Sequence, residues 1–329
     1  MPASRNPKSL LQVARLYYLE NLSQQAVAER VGISRSNVSR MLSEAQRQGI
    51  VEIRINDPAG RERELERQLE ERFGLREARV AQRPLAATAT ASNQVGVLAS
   101  QVLLDSIKEQ MTVALSWGHA LQSMVWSTTT DRDHAAHLVQ LVGGLSSISN
   151  EISGQELVRE LASRLGASYR YLHAPAVFAS AEGREALLAE QSIAQALDAA
   201  RTADIAFVGI GTPTHGSSAA ILSGLDLSKA QTKQFWSQQP VGDIAARYFD
   251  AQGQAVTGPT ADRVLAVTLE DLAAIPTVVG VAEGRAKVPG VVGALHGRLI
   301  DVLVCDETLA RGVLSSTSSP PFEAEGARP

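Results

Sequence analysis

The stretch from Ser23 to Arg40, SQQAVAERVGISRSNVSR, constrains the fold of this chain most. It reads as two short helices with a forced turn between them. Ser23 is placed to cap the first helix, and Leu22 just outside can pack on Val27 as a hydrophobic staple. Val27, Ala28 and Val31 fall on one helical face. Gly32 follows where a tight turn needs positive φ, and Ile33 tucks beneath it. Ser34 caps the second helix, which buries Val38, Met41 and Leu42 and turns Arg35, Ser36, Asn37, Ser39 and Arg40 outward. A small residue at the helix crossing, a turn glycine and an apolar anchor make a helix-turn-helix. Arg can bond guanine bidentately, Asn can bond adenine, and Ser can serve bases or phosphates, so the outward set suits the major groove. The competing reading is a helical hairpin with a solvated face. Such faces favour long Lys and Glu, whereas this one carries hydroxyls, Asn and Arg, with no acid before Glu44.

At 329 residues the chain is long enough for two domains. Its net charge of -4 hides an asymmetry, because residues 1–56 hold eight basic and four acidic side chains. The basic end suits phosphates, and the acidic remainder argues against a second nucleic-acid surface. Cys305, the single cysteine, follows an apolar run and reads as a small buried hydrophobe, with no disulfide possible within one chain. No secretory leader or long apolar segment is evident, so the expected location is the cytoplasm, with no membrane partner.

Ahead of the helix-turn-helix, Leu10 to Leu19 reads as a packing helix. Behind it, Gly49 breaks the third helix and Ile50 to Ile55 alternates as a strand, a short wing with Arg47 and Arg54 as phosphate partners. A DNA-binding domain over 1–56 follows from this, with Asp57 to Gly60 as its end. Residues 57–84 read as a linker. It holds a charged helix over 61–74 with Leu65, Leu69 and Phe73 in a one-residue stripe, suited to packing between subunits. From 85 to 316, helix and strand alternate, the mark of an α/β domain with a largely parallel sheet. The expected helices cover 94–110, 155–165 and 185–200, with others after Gly118 and from Lys287. Strands are expected over 113–115, 138–142, 169–172, 205–208, 264–267, 278–281 and 302–304. The tail, 317–329, has a disordered composition.

Four of these strands end in glycine turns: Ser116-Trp117-Gly118, Gly143-Gly144, Gly209 to Thr212, and Glu283-Gly284. In an open α/β sheet the ligand crevice lies beyond the carboxyl ends of the strands. Glycines there let backbone N–H groups approach an anion, and each following helix adds its positive end. Together the loops point to a pocket for a phosphate or polyol. A nicotinamide site fails, because the glycine after Gly209 and Gly211 is Gly216, which breaks the G-x-G-x-x-G spacing. His134 and His137 have no Cys or Glu at ligand spacing, so no metal is expected. No nucleophile elbow or other catalytic motif is present, and no cofactor is called for.

The chain resembles the SorC family of sugar-binding transcriptional regulators. The resemblance is carried by LSQQAVAERVGISRSNVSRML, GIVEIRI, ELERQLEERFGL, ADIAFVGIGTP, VGDIAARYFDAQG and VVGVAEGRAKVPGVVGALHGRLIDVLVCDETLA, in family order up to about residue 315. It implies a winged helix-turn-helix followed by a Rossmann-like three-layer effector domain, similar to sugar-phosphate isomerases and CoA transferases. Regulators of this kind bind operator DNA and a phosphorylated sugar, and assemble as dimers or tetramers. By the resemblance, Gly118, Gly143, Gly144, Asn150, Gly211, Asp243, Glu283 and Lys287 belong to the effector site, and Thr212 follows in the same loop. Asp243 suits hydroxyl binding and Lys287 a phosphate, while the competing role of Asp243 is to cap a helix over Ile244 to Phe249. The family commonly continues Trp-Gly with x-Thr, whereas here His119-Ala120 follow, so His119 stands where that hydroxyl is missing.

These readings converge on a ligand-responsive transcription regulator and not an enzyme. The rival is a sugar-phosphate isomerase-like or lactonase-like enzyme carrying a DNA-binding module. It would need an acid–base pair at the glycine loops, for which only Asp243 and Glu283 offer themselves.

Overall fold

The computed structural model describes residues 6–51, 60–82, 91–144 and 153–316. They fall into two compact units, dividing between Asp57 and Pro58.

In the first unit, Asn6 caps Pro7–Ala14 (α1), with proline at the helix start where its missing N–H is harmless. The helix expected over Leu10 to Leu19 is α-helical only to Ala14 and widens into a π turn over Arg15–Leu19. Gln24–Val31 (α2) and Arg35–Arg47 (α3) follow. Ser23 Oγ accepts from Ala26 N at 3.2 Å and Ser34 Oγ from Asn37 N at 3.3 Å, the two expected caps. Gly32 between them has φ +71°, which is why a glycine is needed there. Leu10, Val13, Val27, Val38, Leu42 and Ala45 form the core, with Leu22, Ile33 and a half-buried Met41 packed against it. Ile50 and Val51 also pack there, both N–H groups donating to Ala45 O. The rest of the expected wing, Arg54 included, lies outside the described residues.

The second unit runs Arg63–Phe73 (α4), Glu77–Ala81 (β1), Ala91–Ser106 (α5), Thr112–Leu115 (β2), His119–Ser127 (α6), His137–Gln140 (β3), Gly154–Leu165 (α7) and Ser168–Tyr169 (β4). It continues through Ala181–Leu188 (α8), Gln191–Arg201 (α9), Ile205–Gly209 (β5), Gly216–Gly224 (α10), Lys229–Ser237 (α11), Gly242–Ile244 (β6) and Arg247–Phe249 (β7). Leu269–Ala274 (α12), Val278–Ala282 (β8), Val288–His296 (α13), Val302–Asp306 (β9) and Glu307–Ser315 (α14) complete it.

Seven strands form one parallel sheet in the order β1-β9-β8-β5-β2-β3-β4. β5, β8 and β9 are Val-rich and buried almost throughout, as strands covered on both faces must be. The chain builds outward from β2 through β3 to β4, then returns to β5 on the other side of β2 and proceeds the opposite way. The order therefore reverses between β2 and β5. The loops leaving those two strands part there and open a crevice at their carboxyl ends.

The charged helix α4 is fastened to this sheet. Leu65 and Leu69 sink into the main core, while Glu66 accepts from Val80 N at 2.9 Å and Glu70 from Ala78 N at 2.8 Å. Two carboxylates thus satisfy the outer backbone of edge strand β1. Buried Glu66 is itself paired with Arg61 at 2.8 Å.

Four further expected elements differ, one being the strand over 169–172, which is laddered only over Ser168–Tyr169. The helix over 185–200 is two helices, α8 and α9, each with its own start at Ser180 and Glu190. Residues 264–267 form no ladder strand, only single bridges from Val264 to Val177 and from Ala266 to Val142. Their carbonyls are taken instead by Arg247, whose guanidinium donates to the oxygens of Ala261, Val264, Ala266 and Val267 at 2.8–3.2 Å. Burial without a carboxylate partner lowers that guanidinium to about 10. Finally, residues 242–249 form an antiparallel hairpin and not a capped helix.

Candidate effector site and DNA-reading face

A cavity of about 250 Å³ sits at the switch point. The loop after β2 supplies Trp117, Gly118 and His119, and the loop after β5 supplies Gly209, Ile210 and Gly211. The end of β8 adds Glu283, the start of α13 adds Lys287, the start of α10 adds Gly216 to Ser218, and the hairpin adds Asp243. Ser116 Oγ accepts from Gly209 N at 3.1 Å, holding the first two loops together.

Three helices begin at this cavity without a side-chain cap. Gly118 precedes α6 with φ +127°, His215 precedes α10, and Lys287 precedes α13. Elsewhere in this domain α7, α8, α11, α12 and α14 are capped by Ser153, Ser180, Ser228, Thr268 and Asp306, while α4 and α9 also start without a side-chain cap. The starts of α6 and α10 turn the positive dipole end to the cavity, whereas at α13 Val288 N donates to Arg285 O and Pro289 has no N–H, so Lys287 supplies the positive charge there. Gly118, Gly216 and Gly284 all have positive φ, and the direction a Cβ would take at each is open space for 4 Å. Gly284 N also donates to Asp306 Oδ1 at 3.0 Å, so the β8 loop is tethered to the start of α14.

Gly211 is a close approach. A Cβ there would overlap both Asp243 Oδ1 and Ser218 Oγ, and Gly211 N donates to Asp243 O at 2.9 Å. Asp243 is 3% exposed. Its Oδ2 accepts from Ala246 N at 3.2 Å, across a turn whose two central residues, Ala245 and Ala246, both have left-handed φ. Its Oδ1 lies beside the Ser218 hydroxyl. Burial raises this carboxyl above the usual range, against the pull of the Ser218 hydroxyl, the Lys287 charge and Ala246 N–H.

Of the residues anticipated from sequence, Gly118, His119, Gly211, Asp243, Glu283 and Lys287 therefore meet on one cavity wall. Thr212 is buried beside it, its hydroxyl 3.2 Å from that of Thr214. Gly143 and Gly144 do not line it. A Cβ at Gly143 would overlap the Pro175 backbone, and Gly144 N donates to Ala174 O at 2.8 Å, so both serve chain pairing. Asn150 lies outside the described residues. Sequence reasoning passed over Gly216-Ser217-Ser218, although a glycine and two hydroxyls at a helix start are themselves an anion-binding pattern.

On α3, Arg35, Ser36, Ser39 and Arg40 are exposed and Asn37 is half-buried. Ser36 Oγ is 3.0 Å from Ser34 Oγ at the helix start. Arg47 is exposed but paired with Glu44, its Nε donating to Oε2 at 3.0 Å. That pair must open before Arg47 can reach a phosphate.

A helix-turn-helix joined to an α/β domain with an anion-suited cavity defines a DNA-binding regulator with a small-molecule domain. The comparisons agree. A sugar-binding domain family matches residues 57–315 and a Crp-like helix-turn-helix family matches residues 10–60. The chain is 31% identical to the deoxyribonucleoside regulator of Bacillus subtilis over 93% of its length and 96% of that protein's. It is 33% identical to the transcriptional regulator LsrR of Klebsiella pneumoniae, covering 93% of each. The full-length sorbitol operon regulator SorC of Klebsiella pneumoniae superposes with a TM-score of 0.71 at 27% identity, covering 95% of this chain and 100% of that one. The chain belongs to the SorC family of sugar-binding transcriptional regulators.

Proposed function

We propose that operator affinity is controlled by a phosphorylated sugar, or a related phosphorylated metabolite, bound in the switch-point cavity. The observation that carries this is the meeting of the uncapped starts of α6 and α10 with Lys287 around one cavity. The phosphate sits over Gly118 and Gly216 beside Lys287, where helix dipoles and the ammonium favour negative charge. Asp243 and Glu283 take the sugar hydroxyls. Relatives are named regulators of deoxyribonucleoside and sorbitol genes, which agrees with a sugar-derived effector. No helix among the described residues is long and apolar enough to cross a membrane, consistent with work in the cytoplasm.

In this reading α3 enters the major groove with Arg35, Asn37 and Arg40 towards base edges, Ser36 and Ser39 beside them, and Arg47 towards the backbone. Two such units, in a dimer or tetramer, read a symmetric site. The effector acts by preferring one packing of the subunits, and its influence on the DNA is no larger than that preference. In this reading the domain is a sensor, with Asp243 meeting the ligand through Oδ1 while its Oδ2 is committed to Ala246 N. Fluorescence anisotropy on operator DNA tests the proposal. A sugar phosphate should shift the binding curve while the unphosphorylated sugar does not, and incubation should leave the sugar phosphate neither isomerised nor hydrolysed by nuclear magnetic resonance. Equal shifts by both forms would remove the phosphate from the argument.

A further inference from the structure

Two buried donors, one of them on a cavity-lining residue, have no acceptor among the described residues. Gln140, the last residue of β3, is 2% exposed, and Trp117, in the loop after β2, is 8% exposed. Gln140 Oε1 accepts from Leu172 N at 2.9 Å, which fixes the amide and leaves Nε2 as the unpaired end. The indole Nε1 of Trp117 is likewise unpaired, and an indole can only donate. Both side chains face Gly154, the first residue of the twelve-residue helix α7. A Cβ at Gly154 would lie 3.2 Å from Trp117 Cδ1, the ring atom bonded to Nε1, and 3.3 Å from Gln140 Nε2. Buried donors are paired in the great majority of cases, so two unmet at one glycine call for an explanation.

We infer that Trp117 Nε1 and Gln140 Nε2 form a subsite for one uncharged acceptor oxygen, a carbonyl or hydroxyl at the end of the effector away from its phosphate. The inference rests on the phosphosugar reading and deepens it, since Trp117 is also part of the cavity wall. Both donors are neutral and neither can accept, so the pair discriminates by hydrogen-bond sense. An oxygen acceptor is taken, and an ammonium or a deoxy carbon at the same position is refused. Neither nitrogen meets bulk solvent, so the side chains must shift for a ligand to reach them. The ring edge packs closely on Gly154, where a Cβ would stand only 3.2 Å from Cδ1.

The full chain is titrated by calorimetry with inorganic phosphate, ribose 5-phosphate, glucose 6-phosphate and fructose 6-phosphate. Trp117→Phe removes the indole N–H and the five-membered ring with it, so inorganic phosphate serves as the control for any general change in the site. Gln140→Met, checked for folding by circular dichroism, is the second variant. The sugar phosphate that binds wild type most tightly should bind Trp117→Phe about tenfold more weakly, the loss of one neutral hydrogen bond. Inorganic phosphate should bind wild type and variant alike. Sugar phosphates binding wild type no more tightly than inorganic phosphate would overturn the subsite and leave the phosphate reading intact. The subsite is equally overturned if Trp117→Phe weakens both ligands to the same extent or neither. If none of the four binds wild type, the phosphate reading fails and the subsite falls with it.

Discussion

Asp306 ties the candidate phosphate loop to the body of the domain, and its removal has a calculable effect. Its Oδ1 accepts from Leu309 N at 3.2 Å as the cap of α14, and from Gly284 N at 3.0 Å in the loop that precedes Lys287. The side chain is 8% exposed, so water cannot readily replace it. Asp306→Ala loses a helix cap, typically about 0.5–2 kcal/mol. It also leaves Gly284 N–H unmet in a part-buried place, about 1–3 kcal/mol. Taking the middle of each range, the loss is about 3 kcal/mol. At about 2–4 °C per kcal/mol for a domain of this size, the melting temperature of the α/β domain should fall by roughly 6–12 °C. Asp306→Asn keeps an acceptor oxygen and gives up only the charge at the start of α14, worth about 0.3–1 kcal/mol. It should therefore melt within a few degrees of the wild type. Thermal unfolding of the full chain, followed by far-ultraviolet circular dichroism, separates the three proteins. Asp306→Ala melting with the wild type would refute the reasoning. Equal damage from Asn and Ala would show that the charge, and not the doubly used acceptor, is what matters.

Other consequences are as direct. Arg40→Ala should lose about 1–3 kcal/mol of operator affinity, concentrated at one base position, as a scan of single-base operator variants would reveal. Lys287→Ala should bind operator normally but need at least about tenfold more sugar phosphate for half-maximal response, since about 1.4 kcal/mol corresponds to each decade. Anisotropy titrations measure both quantities. Asp243 has its carboxyl pKa raised by burial, so the folded protein holds a proton that the unfolded chain gives up. Its contribution to stability is full below the unfolded pKa and falls as pH rises from there through the folded value. Urea unfolding at a series of pH values should show that decline in wild type, and Asp243→Asn should flatten it.

The sequence was most readable where one residue type has one physical use. Gly32 marked a left-handed turn, Ser23 and Ser34 marked helix starts, and Val-rich runs ending in glycine marked buried parallel strands, all of which the structure contains. The cavity wall was partly readable for the same reason, because glycines close to strand ends stand where backbone must approach a ligand. Gly143 looked the same in sequence and serves a different purpose, since its bare Cα makes room for the Pro175 backbone. A glycine announces a close approach without saying what approaches.

The hairpin carrying Asp243 was opaque because its turn breaks the local rule. A two-residue hairpin with left-handed φ at both central positions favours Asn and Gly, and here it has Ala245-Ala246, good helix formers. Each left-handed alanine carries strain of order 1–2 kcal/mol. The strain is held by one local side-chain bond and by several tertiary ones. Asp243 Oδ2 takes Ala246 N, and Arg247 reaches across to the carbonyls of four residues between 261 and 267. Within 264–267 Arg247 takes the carbonyls of Val264, Ala266 and Val267 while Leu265 O accepts from Gly143 N, so the segment pairs by single bridges and not as a ladder strand. Strained backbone maintained by its surroundings tends to collect where function needs a fixed geometry. In this domain it fixes Asp243, the carboxyl beneath Gly211, at the wall where the switch-point loops part.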